Sequence, residues 1–205
     1  SGFSEASTAG ILANSEAESG IDPTKWQVPS GPAMGAFQWE GTSSASGANP
    51  YGRFANLVSF AKNKGKSWKD LQVQCEFLIH EMNGGDPTTK YLLGQHCGGL
   101  SGFKKLTDPG RASDVFMWSF ERPKDQTPGR RSASANKWYN KFKGKKVKKR
   151  DAFGAIYEEE EDILKVPQDH LVEHTLVKEV TSILMKYNNA SFRINANNIV
   201  RELVE

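Results

Sequence analysis

The 205-residue sequence predicts a mainly α protein, a body of short helices with one conspicuous Gly-rich loop and a helical extension at its C-terminal end. Three observations predict it. Apolar residues recur at helical spacing between recognisable caps through residues 1–143. The segment from Trp26 to Pro50 is rich in Gly, Ser and Pro, and a loop of that length inside a compact body is usually functional. From Lys143 the composition breaks into a basic block, Lys143–Arg150, and an unbroken acidic run, Glu158–Asp162. Such blocks are most often solvated linkers.

The first helix is predicted to start at a Ser4 or Ser7 cap and to run to Ser19, with Ala9, Leu12, Ala13 and Ala17 at helical spacing. Gly20 supplies a left-handed exit and Pro23 prevents resumption. Within the long loop a short strand is expected around Ala36–Trp39. A second helix, Gly52 to about Asn63, carries Phe54, Leu57, Val58 and Ala61. A third opens at Ser67, with Asp70 at the capping-box position, and places Leu71, Cys75, Leu78 and Met82 on one stripe before Gly84-Gly85 stops it. Short helices are expected at Thr88–Leu93 and Leu100–Leu106. Asp108-Pro109 reads as a cap followed by proline at the first helical position. A last helix, about Arg130 to Phe142, closes the body with Ala135, Trp138, Tyr139 and Phe142.

The chain thus divides into a body, 1–143, a charged linker, 144–166, and a helical extension, 167–205, in which Asp169 caps a helix. Two helices cannot make a core alone, so the extension is expected to dock on the body, on another subunit or on a further stretch of chain. A net charge of +3 is too small to imply nucleic acid. The body carries 17 Lys and Arg against 13 Asp and Glu, a mildly basic surface suited to an anionic wall polymer. No apolar run reaches the ~18 residues of a membrane span. Cys75 reads as a buried helical thiol; pairing with Cys97 would need an oxidising compartment. Two cysteines this far apart, without an obvious histidine partner, do not make a zinc site, and no metal or cofactor is expected. His170-Leu-Val-Glu-His174 fits an inverted zinc-peptidase pattern, but too little chain follows to supply a third ligand, so it reads as a chance match.

The chemistry concentrates in Ala9–Trp39. Glu16 and Glu18 are two residues apart, so on a helix they diverge by ~200° and cannot act as a pair. Glu18 falls in the last turn. Partially negative carbonyls there, and loop aromatics folding over it, would favour the protonated carboxyl that general-acid chemistry needs. Trp26 and Trp39 are the aromatics best placed to stack on a sugar ring.

The order of features, Glu18-Ser19-Gly20, Asp22-Pro23, then Gly31-Pro-Ala-Met-Gly-Ala-Phe-Gln-Trp39, resembles the signature of lysozyme-like peptidoglycan-cleaving enzymes. Slt-type lytic transglycosylases and goose-type lysozymes end a helix in Glu-Ser and follow it with a Gly-rich segment ending in Gln. The chain is most similar to the phage tail lysozyme group, also found in conjugation-associated wall hydrolases. Arg53–Lys62, Gln74–Glu81, Phe120-Glu-Arg-Pro123 and Ala135–Tyr139 extend the resemblance over about residues 4–143. It implies a lysozyme-like fold with Glu18 as the catalytic acid, protonating the oxygen between N-acetylmuramic acid and N-acetylglucosamine. It also implies that Gly35–Gln38 lines the glycan cleft, with Ser19, Gly35, Phe37, Gln38, Trp39 and Trp26 near substrate. Asp22 and Glu40 flank the loop as candidates for a second carboxylate; loop capping or solvent exposure is the blander role of each. Glu121 reads as half of a structural ion pair beside Arg122. The implied partner is peptidoglycan, on a phage tail or at the outer face of a bacterium, with tail or conjugation subunits as partners for 167–205. A counterpart of the later Ala-Tyr-Asn-Gly segment of the transglycosylases is absent, which leaves hydrolysis and anhydro-product formation both open. So is a non-catalytic module that keeps the fold for glycan binding or assembly.

Overall fold

The computed structural model describes residues 2–27 and 31–144. The charged segment from Lys145, the 167–205 extension and the His170–His174 pattern lie outside them. The described chain is an α body in the order α1 (Glu5–Ser19), β1 (Ala33–Met34), β2 (Trp39–Glu40), α2 (Gly52–Asn63), α3 (Leu71–His80), α4 (Pro87–Cys97), α5 (Gly99–Phe103), α6 (Pro109–Phe116) and α7 (Ser132–Phe142). Single π-helical turns, Glu81–Gly85 and Met117–Glu121, continue α3 and α6. Among the described residues no helix is long and apolar enough to cross a membrane.

Helix α1 is the centre of the body. Ser4 caps it, its side chain accepting from Ser7 N, and Gly20 ends it at φ +71°. The apolar spacing predicts a one-faced helix, whereas residues 6–15 are buried all round and Ala17 is exposed. The small polar residues of α1 make this feasible because each buried group finds a partner. Ser7 Oγ donates to Phe103 O (2.6 Å), Thr8 Oγ1 to Ser4 O (3.0 Å) and Ser15 Oγ to Ala36 O (2.8 Å). Asn14 Nδ2 reaches both Gly10 O and Ser113 O, tying α1 to α6.

Gly10 marks the closest approach of those two helices. A Cβ there would lie 2.6 Å from Ser113 N and 2.7 Å from Ala112 C, both backbone atoms that cannot swing aside. Gly10→Ala gains about 1 kcal/mol of helix propensity. It costs about 1–3 kcal/mol of overpacking, and the rigid contact makes the cost prevail. The variant should therefore melt below wild type in a thermal scan; a rise in Tm, as at an exposed helical glycine, would contradict this packing.

Several boundaries differ from expectation for local reasons. The cap of α3 is Asp70, whose carboxylate accepts from Val73 N (3.2 Å), because Ser67 belongs to the preceding turn. Asp86 caps α4 with Pro87 at its first position, so that helix is longer than the expected Thr88–Leu93. The expected single strand is a hairpin, Ala33 opposite Glu40 and Met34 opposite Trp39, with Gly35–Gln38 as its turn. Cys75 lies in the core, and Cys97 donates its Sγ hydrogen to Leu93 O.

Candidate active site

The hairpin turn is fixed against the end of α1 through one residue. Ala36 O accepts from Ser15 Oγ and Ser19 Oγ, both at 2.8 Å, and Ala36 N donates to Gln74 Oε1 at 2.9 Å. Gln74 is buried in α3 and also donates to Pro23 O (2.7 Å) and Trp68 O (2.8 Å). Helix α1, the hairpin, α3 and the Ile21–Thr24 turn therefore converge where α1 ends in Glu18-Ser19. Gln38 holds a left-handed conformation (φ +47°), its Nε2 donating to Gly35 O (2.8 Å) and Lys25 O (3.2 Å).

Glu18 keeps 22% of its side chain exposed, and its Oε1 meets Arg131 Nη2 at 2.5 Å. Arg131, the N-cap residue of α7, is itself buried, and its Nη1 donates to Asn14 Oδ1. Asn14 and Glu18 are one turn apart on α1, so a single guanidinium reads both. Glu16 faces α7 instead. Its carboxylate accepts from Ser134 Oγ, Lys137 Nζ (3.0 Å) and Trp138 Nε1 (3.1 Å). The two glutamates accordingly do different work, as their spacing requires. Burial opposes the Glu16 charge, but the Ser134, Lys137 and Trp138 contacts outweigh it and hold the carboxyl below its ordinary 4.5. An unfolded chain then binds the proton more readily, so this contribution is present above pH 4.5 and fades as pH falls through the folded value. Glu16→Gln should lower stability at neutral pH and match wild type in strong acid; equal denaturation midpoints at pH 7 would contradict the tether.

Behind Glu18 lies a third carboxyl. Glu121 ends the π-helical turn after α6, and its Oε1 is buried with no hydrogen-bond partner among the described residues. Burial pushes its pKa well above the carboxylate range. The negative charges of Glu18 and Glu81 add to that effect, and Arg131 and Arg53 oppose it. The ion pair expected beside it forms elsewhere, because Arg122 Nη1 pairs with Asp86 Oδ2 at 3.0 Å. Glu81 anchors the floor of the site: buried, it takes Arg53 Nε (3.0 Å) and Nη2 (2.8 Å) and accepts Trp39 Nε1 (2.7 Å).

The remaining sequence candidates divide by burial. Trp39 (0% exposed) and Phe37 (1%) are core residues, packed edge to face at 5.4 Å, so the expectation that their rings meet sugar is corrected. Hairpin alternation turns Trp39 inward, where Glu81 satisfies its N–H. Gly35 is buried, and Ser19 spends its hydroxyl on Ala36 and Ser15, which makes both structural supports of the turn. Of the three loop aromatics only Trp26 keeps exposed surface, its Nε1 donating to Gly31 O (3.0 Å). Asp22 Oδ1 accepts from Thr24 N (2.7 Å) and Thr24 Oγ1 (2.8 Å), the turn-capping role. Glu40 is exposed on β2. Neither shares a hydrogen bond or ion pair with Glu18 among the described residues. The sequence reading missed Arg131 and Asn14. The i, i+4 spacing of Asn14 and Glu18 was the available signal for a shared partner.

A buried central helix ending in a partly exposed glutamate, against a short hairpin and within an α body, defines a lysozyme-like domain. The chain belongs to the phage tail lysozyme family, whose family model matches residues 1–142. Membership points to a lysozyme-like, peptidoglycan-degrading role, and the family description to a phage-tail association.

Proposed function

We propose that the protein cleaves the glycan strand of peptidoglycan between N-acetylmuramic acid and N-acetylglucosamine, with Glu18 as the general acid, during penetration of the cell wall. The supporting observation is that Glu18 combines solvent access with a rigid mount: the end of a buried helix, an ion pair to Arg131, and a following Ser19 whose hydroxyl clamps the Gly35–Gln38 turn. In this reading Glu18 gives its proton to the glycosidic oxygen as the bond from C1 to that oxygen breaks, leaving an oxocarbenium-like centre. Arg131 orients the carboxyl. Gln38 and Trp26, which each keep part of their surface exposed, face the sugar. Asp22 is committed to its turn and Glu40 has no contact with Glu18, so the second step falls to the substrate's 2-acetamido group or to a water. In the first case the acetamido oxygen bonds to C1 as an oxazolinium, and the C6 hydroxyl then displaces it, losing its proton to Glu18, to give 1,6-anhydro products; attack by water gives reducing ends. Residues 167–205 are proposed to dock on other tail subunits.

Zymography against cell walls separates this reading from a non-catalytic, glycan-binding module. Wild type should clear the wall and Glu18→Gln should bind without clearing. Equal clearing by both removes Glu18 from the chemistry, and binding without clearing by both supports the module.

A further inference from the structure

A cavity of about 500 Å³ opens between α4 and the π-helical turn that follows α6, lined by Leu92, His96, Trp118, Arg122 and Gln126. Two pairs one turn apart build its walls, Leu92 with His96 on α4 and Trp118 with Arg122 from the turn and its cap. Trp118 is held in place. Its Nε1 donates to Gln126 O (3.1 Å), the His96 ring lies 5.2 Å from its ring and the Arg111 guanidinium 5.3 Å. Arg111 is fixed in turn, its Nη2 donating to His96 O (2.9 Å). Arg122 takes a left-handed backbone (φ +52°), uncommon for a residue with a Cβ. Its N–H donates to Met117 O (2.7 Å) and its Nη1 to Asp86 Oδ2 (3.0 Å), so the guanidinium is aimed before any ligand arrives.

The chemistry of this lining selects a ligand. Among the described residues Asp86 is the one acceptor on the Arg122 guanidinium, and Asp86 also takes Thr89 Oγ1 (2.7 Å) and pairs with Arg53 (4.0 Å). Arg122 therefore keeps donors to spare on a side chain that remains partly exposed. The acid next to Gln126 does not compete for them, because Asp125 is taken by Arg130 Nη1 (2.9 Å) and Thr127 Oγ1 (2.6 Å). A guanidinium with spare N–H groups meets a carboxylate through paired, charge-assisted hydrogen bonds. An indole and a leucine beside it suit a small apolar frame, and the cavity has the size of a small-molecule site. Resting on the reading of peptidoglycan as the substrate, we propose that this cavity binds a carboxylate of the short peptide that peptidoglycan carries on its muramic acid. Arg122 clasps the carboxylate, and Trp118 and Leu92 pack on the methyl and methylene groups beside it. Arg111 at the rim adds attraction for the anionic peptide. Affinity for a strand then depends on its peptides, while the bond that breaks stays in the glycan.

The test titrates the full chain with the synthetic tripeptide L-alanyl-γ-D-glutamyl-L-lysine, followed by the NMR signals of the Trp118 indole and the His96 ring. Both should shift saturably with the free acid and stay in place with the fully amidated tripeptide. Arg122→Gln should weaken binding by about tenfold or more, the usual weight of hydrogen bonds to a charged group. On walls, Arg122→Gln should raise the apparent KM with kcat held. That difference from wild type should vanish on glycan strands stripped of their peptides by an amidase. Unmoved signals, or equal shifts with the amidated tripeptide, overturn the carboxylate site. Equally tight binding of all-L trialanine would assign the cavity to protein C-termini and overturn its assignment to the wall. A loss in Arg122→Gln that persists on stripped strands would make Arg122 a support of the fold, and this also overturns the proposal. If Arg122→Gln does not fold, the wild-type titration with acid against amide decides. That titration involves no cleavage. Walls left uncut by wild type would reject the reading of Glu18, while shifts with the acid alone would still uphold the site.

Discussion

Glu18→Gln is expected to lower the rate of wall hydrolysis by about 10²–10⁴-fold, the usual contribution of a positioned general acid. The substitution keeps the volume and the hydrogen-bonding oxygen that faces Arg131, but removes the only proton the group could deliver. Because Glu18 is partly exposed and its pair with Arg131 is its one contact of this kind, the fold should tolerate the change. Circular dichroism and thermal melting should resemble wild type while turnover collapses. A variant that retains turnover within a few-fold of wild type would show that another group does the chemistry.

Glu81→Ala is expected to have the largest effect on stability, about 3–5 kcal/mol, a large part of the total for a domain of this size. The carboxylate is 2% exposed and satisfies Arg53 through two bonds and Trp39 through one. Its loss leaves the Trp39 N–H unsatisfied in the core and strands a guanidinium that also donates to Phe120 O (3.2 Å) and lies 4.4 Å from the Phe120 ring. A fall in Tm of roughly 6–20 °C is the corresponding observation. Glu81→Gln, which keeps an acceptor for Trp39, should lose less. A melting temperature within 1–2 °C of wild type for Glu81→Ala, about the scale of a surface substitution, would contradict the role given to this carboxylate.

Much of this fold was legible because its helix ends are written in short, local chemistry. Ser4 and Gly20 bracket α1, and Asp108-Pro109 opens α6 with the aspartate accepting from Arg111 N at 2.5 Å. The same Asp-Pro signature at Asp86-Pro87 opens α4 and was available to be read. The π-helical turns after α3 and α6 were not, since each is a one-residue slip of the backbone ladder with no composition of its own. They matter, because the second of them delivers Glu121 to the site. The burial of α1 on all sides was equally hidden. Its Ser, Thr and Asn residues look solvent-facing until partners on α5, α6 and the hairpin become visible.

The candidate site was half legible. Glu18 at a helix end, beside a Gly-rich segment, followed from residue order alone. What that segment does was misread where exposure was inferred from composition. Gly, Ser and Pro suggested a long functional loop, and its aromatics suggested sugar platforms. In fact Ala36 is clamped from both sides, and Phe37 and Trp39 supply core. The partner of Glu18 comes from residue 131, more than a hundred positions away; the i, i+4 spacing of Asn14 and Glu18 points to a shared partner, but nothing local names the residue that supplies it.

The most direct test of the central claim is mass spectrometry of the fragments released from purified peptidoglycan by the full chain and by Glu18→Gln. The account predicts that wild type releases muropeptides whose new ends are N-acetylmuramic acid, as reducing or 1,6-anhydro sugars, and that Glu18→Gln releases almost none. Fragments ending in cut peptide bonds or in N-acetylglucosamine, or the same muramic acid ends in equal yield from Glu18→Gln, would contradict it.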